Sequence, residues 1–179
     1  MIGNHASIND LTENFITSNV FSANFSLQRL GIVNNGNFNI QIEPISSNII
    51  SVSSDINISS LDIGETIYNS FQIELNTSIN PGDQVLFKYV LNNGLFNEEV
   101  FVEKIYGVPI LLIEDESDNY SSFWSNNSEW SNTYEEYFSP ETSITDSPYS
   151  NYSNNAEEII NLINEIDLSG YSYAEINFD

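Results

Sequence analysis

The sequence predicts an all-β protein that opens with an immunoglobulin-like β-sandwich. Three observations point there. Apolar residues recur with a period of two, as in Phe38-Asn39-Ile40-Gln41-Ile42-Glu43, the spacing that puts alternate side chains on one face of a strand. Turn chemistry separates these runs: Val33-Asn34-Asn35-Gly36, Asn80-Pro81-Gly82-Asp83 and Asn92-Asn93-Gly94, where proline fixes φ and glycine permits positive φ. Polarity rests on Asn and Ser more than on charge, since charged residues make up only 16% of the 179. Asn and Ser side chains bond to nearby backbone and suit turn-rich β domains.

Residues 1–20 are polar, with scattered Ile, Leu and Phe. They form a ragged N-terminal segment, to be read as an irregular first strand or as the end of an upstream domain. Residues 21–108 hold the immunoglobulin-like sandwich. Phe25 and Leu27 lie in its opening strand, and Phe38 to Glu43 form a half-buried strand ended by Pro44. Ile49 to Val52 and Ile56 to Ile58 are short strands, and Leu61-Asp62-Ile63-Gly64-Glu65 is a turn. Ile67 to Leu75 places Phe71, Ile73 and Leu75 on one face. Val85 to Leu91 and Glu99 to Tyr106 pair across Asn92-Asn93-Gly94, and Gly107-Val108-Pro109 closes the region. Recurring short strands with turns between them indicate a sandwich.

Residues 109–179 continue as β structure with weaker alternation. Ile110 to Ile113 has the look of a buried strand, and Glu114-Asp115-Glu116 follows it. Trp124, Trp130, Tyr134, Tyr137 and Phe138 sit among Ser and Asn, which implies short strands and long loops. Glu157 to Ile163 fits an amphipathic helix or a strand. A strand is preferred because Asp167-Leu168 and Ala174-Glu175-Ile176-Asn177-Phe178 continue the β pattern. No helix longer than about two turns is expected.

The net charge is −23, and the only cationic side chains are Arg29, Lys88 and Lys104. Phosphate binding needs cations, so nucleic acid is disfavoured as a partner, as is an anionic membrane surface. Cysteine is absent, which removes disulfides and thiolate metal sites. No apolar run reaches the length of a membrane span, so membrane insertion is not expected. Met1-Ile2-Gly3-Asn4-His5 lacks the basic and apolar regions of a signal peptide.

The region from Val85 to Phe178 resembles the C-terminal accessory region of secreted Bacteroidetes peptidases, especially zinc carboxypeptidases of the type IX secretion system. The resemblance rests on Gly107-Val108-Pro109, the strand and acidic end from Ile110 to Asp115, and Trp124 with Trp130. It continues through Ser139 to Tyr152, which contains Ser143-Ile144-Thr145-Asp146-Ser147-Pro148, and through Ile166-Asp167-Leu168-Ser169-Gly170 to Phe178. It implies that residues 109–179 are the N-terminal half of a jelly-roll β-sandwich. The fold class then becomes an immunoglobulin-like β-sandwich followed by a partial jelly roll. Because jelly rolls of this family run on well past the position of Phe178, the second domain is expected to be truncated. The resemblance also implies an extracellular or cell-surface protein whose catalytic domain, and any zinc, lie outside this chain.

The chain's own residues support no catalytic set. A zinc site or a Ser-His-Asp triad needs histidine, and the only one is His5. Acidic pairs of the glycosidase kind cannot be picked out, since nothing marks two carboxylates as facing a cleft. Calcium suits the composition better, because it takes six to eight oxygens from carboxylates, amides and carbonyls. Its candidate ligands are Asp115 and Asp146, assisted by Glu114 or Glu116. Alternatively, Asp146 caps its own turn through the Ser147 N–H. Trp124, Trp130, Tyr134, Tyr137, Tyr149 and Tyr152 could stack on sugars or pack a core and rim. The expected role, as the resemblance implies, is a non-catalytic accessory or spacer region of a secreted peptidase of the metallocarboxypeptidase kind. Its partners would be the parent catalytic domain and a protein or glycan substrate. The alternative is a carbohydrate-binding or adhesion module of a bacterial surface protein.

Overall fold

The computed structural model describes residues 5–32, 37–115, 120–125, 130–135, 142–147 and 159–177. The chain forms two compact units, Met1–Pro109 and Ile110–Asp179.

Among the described residues the first unit holds nine strands: β1 Ala6–Asp10, β2 Phe15–Ile16, β3 Val20–Arg29, β4 Phe38–Pro44, β5 Ile49–Val52, β6 Ile56–Ile58, β7 Thr66–Leu75, β8 Gln84–Asn92 and β9 Asn97–Tyr106. They build a four-stranded sheet ordered β1-β3-β7-β5 and a five-stranded sheet ordered β2-β9-β8-β4-β6. Taken in chain order, β1, β3, β7 and β5 occupy the A, B, E and D places of an immunoglobulin sandwich, and β4, β8 and β9 the C, F and G places. Between β4 and β7 the chain visits both sheets. β5 pairs with β7 in the first sheet, and β6 then pairs with β4 in the second. Residues 6–16, ragged in sequence, supply an edge strand to each sheet. β1 runs antiparallel to β3, and β2 runs parallel to β9.

Period-two alternation selects the core. Phe25 and Leu27 on β3, Phe71, Ile73 and Leu75 on β7, Phe38 and Ile40 on β4, and Val85, Phe87, Tyr89 and Leu91 on β8 all point between the sheets and are buried. A one-residue slip would turn each set to solvent, so burial fixes the register. At the centre, Phe25 stacks on Phe71 with centroids 5.6 Å apart and meets Tyr89 at 5.4 Å. Antibody domains tie the B and F strands together with a disulfide. In this cysteine-free chain the Phe25–Tyr89 contact joins the same two strands.

Gly107 ends the sandwich. Its φ is +128°, and a Cβ there would lie 3.1 Å from the Pro81 Cβ. Its N–H donates to the Ile16 carbonyl at 2.8 Å, and the Gly82 N–H donates to the Tyr106 carbonyl at 2.7 Å. Only glycine takes this backbone angle and approach without strain.

In the second unit the described elements are one short helix, α1 Tyr120–Phe123, and a strand pair, β10 Ser131–Thr133 with β11 Ser143–Thr145. Trp124 forms an isolated bridge with Leu162. Around it the Ser125 N–H donates to the Asn161 carbonyl at 2.7 Å, and the Ile163 N–H to the Phe123 carbonyl at 2.8 Å. Tyr120 is buried, and its hydroxyl donates to the Ser125 carbonyl at 3.0 Å. Two sequence expectations change here. Ile110 to Ile113 is exposed and forms no strand, and of the expected strand Ala174 to Phe178 the same is true of residues 174–177, Phe178 lying outside the described residues. Alternation or apolarity chooses a face, but a strand also needs a ladder partner, and none pairs with these segments among the described residues. Of Glu157 to Ile163, residues 157–158 lie outside the described residues, and Leu162 takes part in the bridge to Trp124.

Candidate functional site

The candidate calcium ligands sit in the second unit. The Asp115 carboxylate accepts a hydrogen bond from the Trp124 indole Nε1. Glu114 is exposed beside it, Asp146 directly follows β11 and is half-buried, and Glu116 lies outside the described residues. The Ser147 N–H donates to Thr145 Oγ1 at 3.4 Å. Among the described residues, no group of three or more His, Cys, Asp or Glu side chains stands where it could hold a metal ion. Of the aromatic set, Trp124 and Trp130 are half-buried and Tyr134 is exposed, while Tyr137, Tyr149 and Tyr152 lie outside the described residues.

The best-built polar constellation lies in the first unit. Lys104, 4% exposed, reaches inward from β9. Its Nζ stands 2.6 Å from Asp10 Oδ2 on β1 and donates to the Thr12 carbonyl at 2.7 Å. The Tyr89 hydroxyl donates to Asp10 Oδ1 at 3.2 Å and also lies 3.3 Å from the Asn24 carbonyl. Burial, reinforced by the Asp10 charge, pushes the Tyr89 phenol well above its usual range. The cluster joins β1 of one sheet to β8 and β9 of the other, so it clasps the sandwich.

The other two cations are equally committed. Lys88 lies 3.0 Å from both Glu43 and Glu99, with the Phe101 ring 5.9 Å away. The hydrogen bond to Glu99, then that to Glu43, raises the Lys88 ammonium above its usual value. Arg29, 2% exposed at the end of β3, donates to the carbonyls of Gly31 and Leu61 and tethers the turn before β7. Its Nη2 meets no acceptor among the described residues. Charge placement in the sequence carried a signal for two of these. Arg29 follows Phe25 and Leu27, and Lys104 follows Val100 and Val102, both in the inward register of a strand. A cation in that register implies a buried partner.

These arrangements hold strands together: Lys104 ties the edge strand β1 to β9, Arg29 holds a turn, and Lys88 bridges β8 to its neighbours β4 and β9. The surface beside the clasp is a broad, open depression lined by Leu11, Thr12, Glu13, Asn14 and Phe15. Among the described residues no helix is long and apolar enough to cross a membrane.

No family model matches the chain, and no curated protein matches it. Among solved structures it is similar in outline to a FixG-related protein from Vibrio parahaemolyticus, at 13% identity and TM-score 0.39, covering 58% of this chain and 96% of that one. It is also similar to the periplasmic chaperone SfaE, at 11% identity and TM-score 0.41, covering 67% of this chain and 64% of that one. A third likeness is to the YadV chaperone, at 14% identity and TM-score 0.37, covering 68% of this chain and 61% of that one.

Proposed function

We propose that this chain is a non-catalytic accessory region of a secreted bacterial peptidase of the zinc-carboxypeptidase kind, working outside the cell as a spacer or docking region beside the catalytic domain. The observation that carries this reading is the run of family-like segments from Gly107-Val108-Pro109 through Thr145-Asp146-Ser147-Pro148 to Ile166-Asp167-Leu168-Ser169-Gly170. Two features support it. The Gly-x-Pro segment stands where the first compact unit gives way to the second, and Gly107 has a backbone reason to be glycine. The cations serve the sandwich itself, which suits a mechanical spacer.

The test is the coding sequence upstream of residue 1 in the same reading frame. An in-frame peptidase domain with a His-x-x-Glu zinc motif is the expected result. A series of adhesin modules there would overturn the reading in favour of an adhesion protein. Calcium at Asp115 and Asp146, with Glu114 or Glu116, has its own check. An ion that binds only the folded state raises Tm by mass action, and a melting curve unmoved by millimolar calcium removes it.

A further inference from the structure

The tip of the β8–β9 hairpin carries Asn93-Gly94, one of two Asn-Gly pairs in the chain; the other is Asn35-Gly36. Such a pair is chemically labile, because no side chain on the glycine hinders its backbone nitrogen. That nitrogen loses its proton to solvent base and attacks the asparagine Cγ. The Cγ–Nδ2 bond breaks, ammonia leaves, and a five-membered succinimide forms. Water then opens either carbonyl, giving aspartate or isoaspartate. Nothing is oxidised or reduced, and water is the sole co-reactant.

We propose that Asn93-Gly94 is a latent modification site of this kind, held shut by the Asn92 side chain and released when the hairpin tip opens. Space does not protect it, since nothing lies within 4 Å of where a Gly94 Cβ would stand, and the φ of Gly94 is +87°. Hydrogen bonds protect it. The Gly94 N–H, the group that must attack, donates to Asn92 Oδ1 at 2.6 Å. The Asn93 Oδ1 accepts from the Leu95 N–H at 3.0 Å and the Phe96 N–H at 2.7 Å, which fixes the side chain that must swing onto that nitrogen. The Asn93 N–H closes the loop on the Phe96 carbonyl at 3.1 Å. Succinimide formation therefore requires these bonds to break together, which is a local opening of the tip.

The product would reach beyond the loop. Phe96 packs against the core and meets His5 edge-on at 4.5 Å, so freeing it loosens the chain at the entry to β1. Either product also adds a negative charge close to Glu98 and Glu99 in a chain already at −23. The hairpin tip thus acts as a one-way recorder of its own opening.

The experiment ages the full chain at neutral pH and 37 °C. Cleavage after glutamate and mass spectrometry follow Asn93 and Asn35 separately, and enzymatic methylation counts isoaspartate. The expected order of rates at Asn93 is native slowest, Asn92→Ala about fivefold faster, as loss of one hydrogen bond implies, and the urea-unfolded chain faster by more than about tenfold. Asn92→Asp keeps the acceptor oxygen and should stay close to the native rate, while circular dichroism confirms that both variants are folded. Native conversion as fast as in urea would overturn the proposal. So would an Asn92→Ala rate equal to native, because Asn92 would then not be the guard.

Discussion

The two units share one chemistry of sequence and differ in what it builds. In Met1–Pro109, alternating runs find partners: β3 pairs with β7 over nine residues, and β8 with β9 over nine. Every inward set meets another across the sandwich. In Ile110–Asp179, the described ladder is three residue pairs between β10 and β11 plus one isolated bridge, and Tyr120 is its buried apolar residue among those described. Ile110, Leu111, Ile159 and Ile176 remain largely exposed. Alternation supplies a face, whereas stability comes from a second face to bury against and a ladder to satisfy the backbone.

Mutations at matched positions should expose that contrast most strongly in the aromatic centre. Phe71→Ala should cost the first unit about 3–5 kcal/mol, while Ile176→Ala, at a residue 76% exposed, should change stability by under about 0.5 kcal/mol. Urea unfolding followed by intrinsic fluorescence reads both. Comparable losses would break the contrast.

The clasp is next in size. Lys104→Ala leaves Asp10 with no cation at the sandwich seam and should cost about 3 kcal/mol. Lys88→Ala removes a surface bridge to Glu43 and Glu99 and should leave the unfolding transition almost where it was, because exposed pairs contribute little. A smaller effect is expected at the sandwich exit. Gly107→Ala forces a Cβ into a backbone angle of +128° and toward Pro81, for about 1–3 kcal/mol. The shift should appear in the unfolding transition of the first unit.

The pH dependence separates the units as well. Tyr89 and Lys88 have folded-state values raised above their ordinary 10.0 and 10.5. Their stabilising contribution is complete below pH 10 and is lost as pH climbs beyond it, because the unfolded chain releases these protons first. Alkaline unfolding should therefore begin in the first unit, and Tyr89→Phe should delay it. In the second unit, the Ser169 hydroxyl and its backbone N–H lower the Asp167 carboxyl below its ordinary 3.8. That contribution is present above pH 3.8 and fades as pH falls further. Titration followed by NMR at these residues checks both signs.

The sandwich was legible in sequence because its signals are local and redundant. Asn80-Pro81-Gly82-Asp83, Asn92-Asn93-Gly94 and Pro44 mark ends, and Phe71, Ile73 and Leu75 mark a face. The sheet switch from β5 to β6 was not legible, since two short strands with equal alternation do not state their sheet. Nor was the Lys104–Asp10–Tyr89 clasp, whose members are separated by up to 94 positions. Its one local trace was a lysine in the inward register after Val102. The second unit was the least legible. Ile110 to Ile113 and Ala174 to Phe178 carry strand-like composition, and composition does not name a pairing partner. For Asp115, the proximity of Trp124 depends on the chain returning at α1, which no spacing in the sequence specifies.

The most direct test of this division is limited digestion of the intact chain with a non-specific protease, resolved in time by mass spectrometry. No Lys or Arg follows Lys104, so trypsin cannot report on the second unit. Cleavage of a locally opened segment tracks its opening free energy. The account predicts early cuts between Ile110 and Asp179 and a persisting fragment that ends near Pro109. Survival of Ile110 to Asp179 while residues 6–106 are degraded would contradict it.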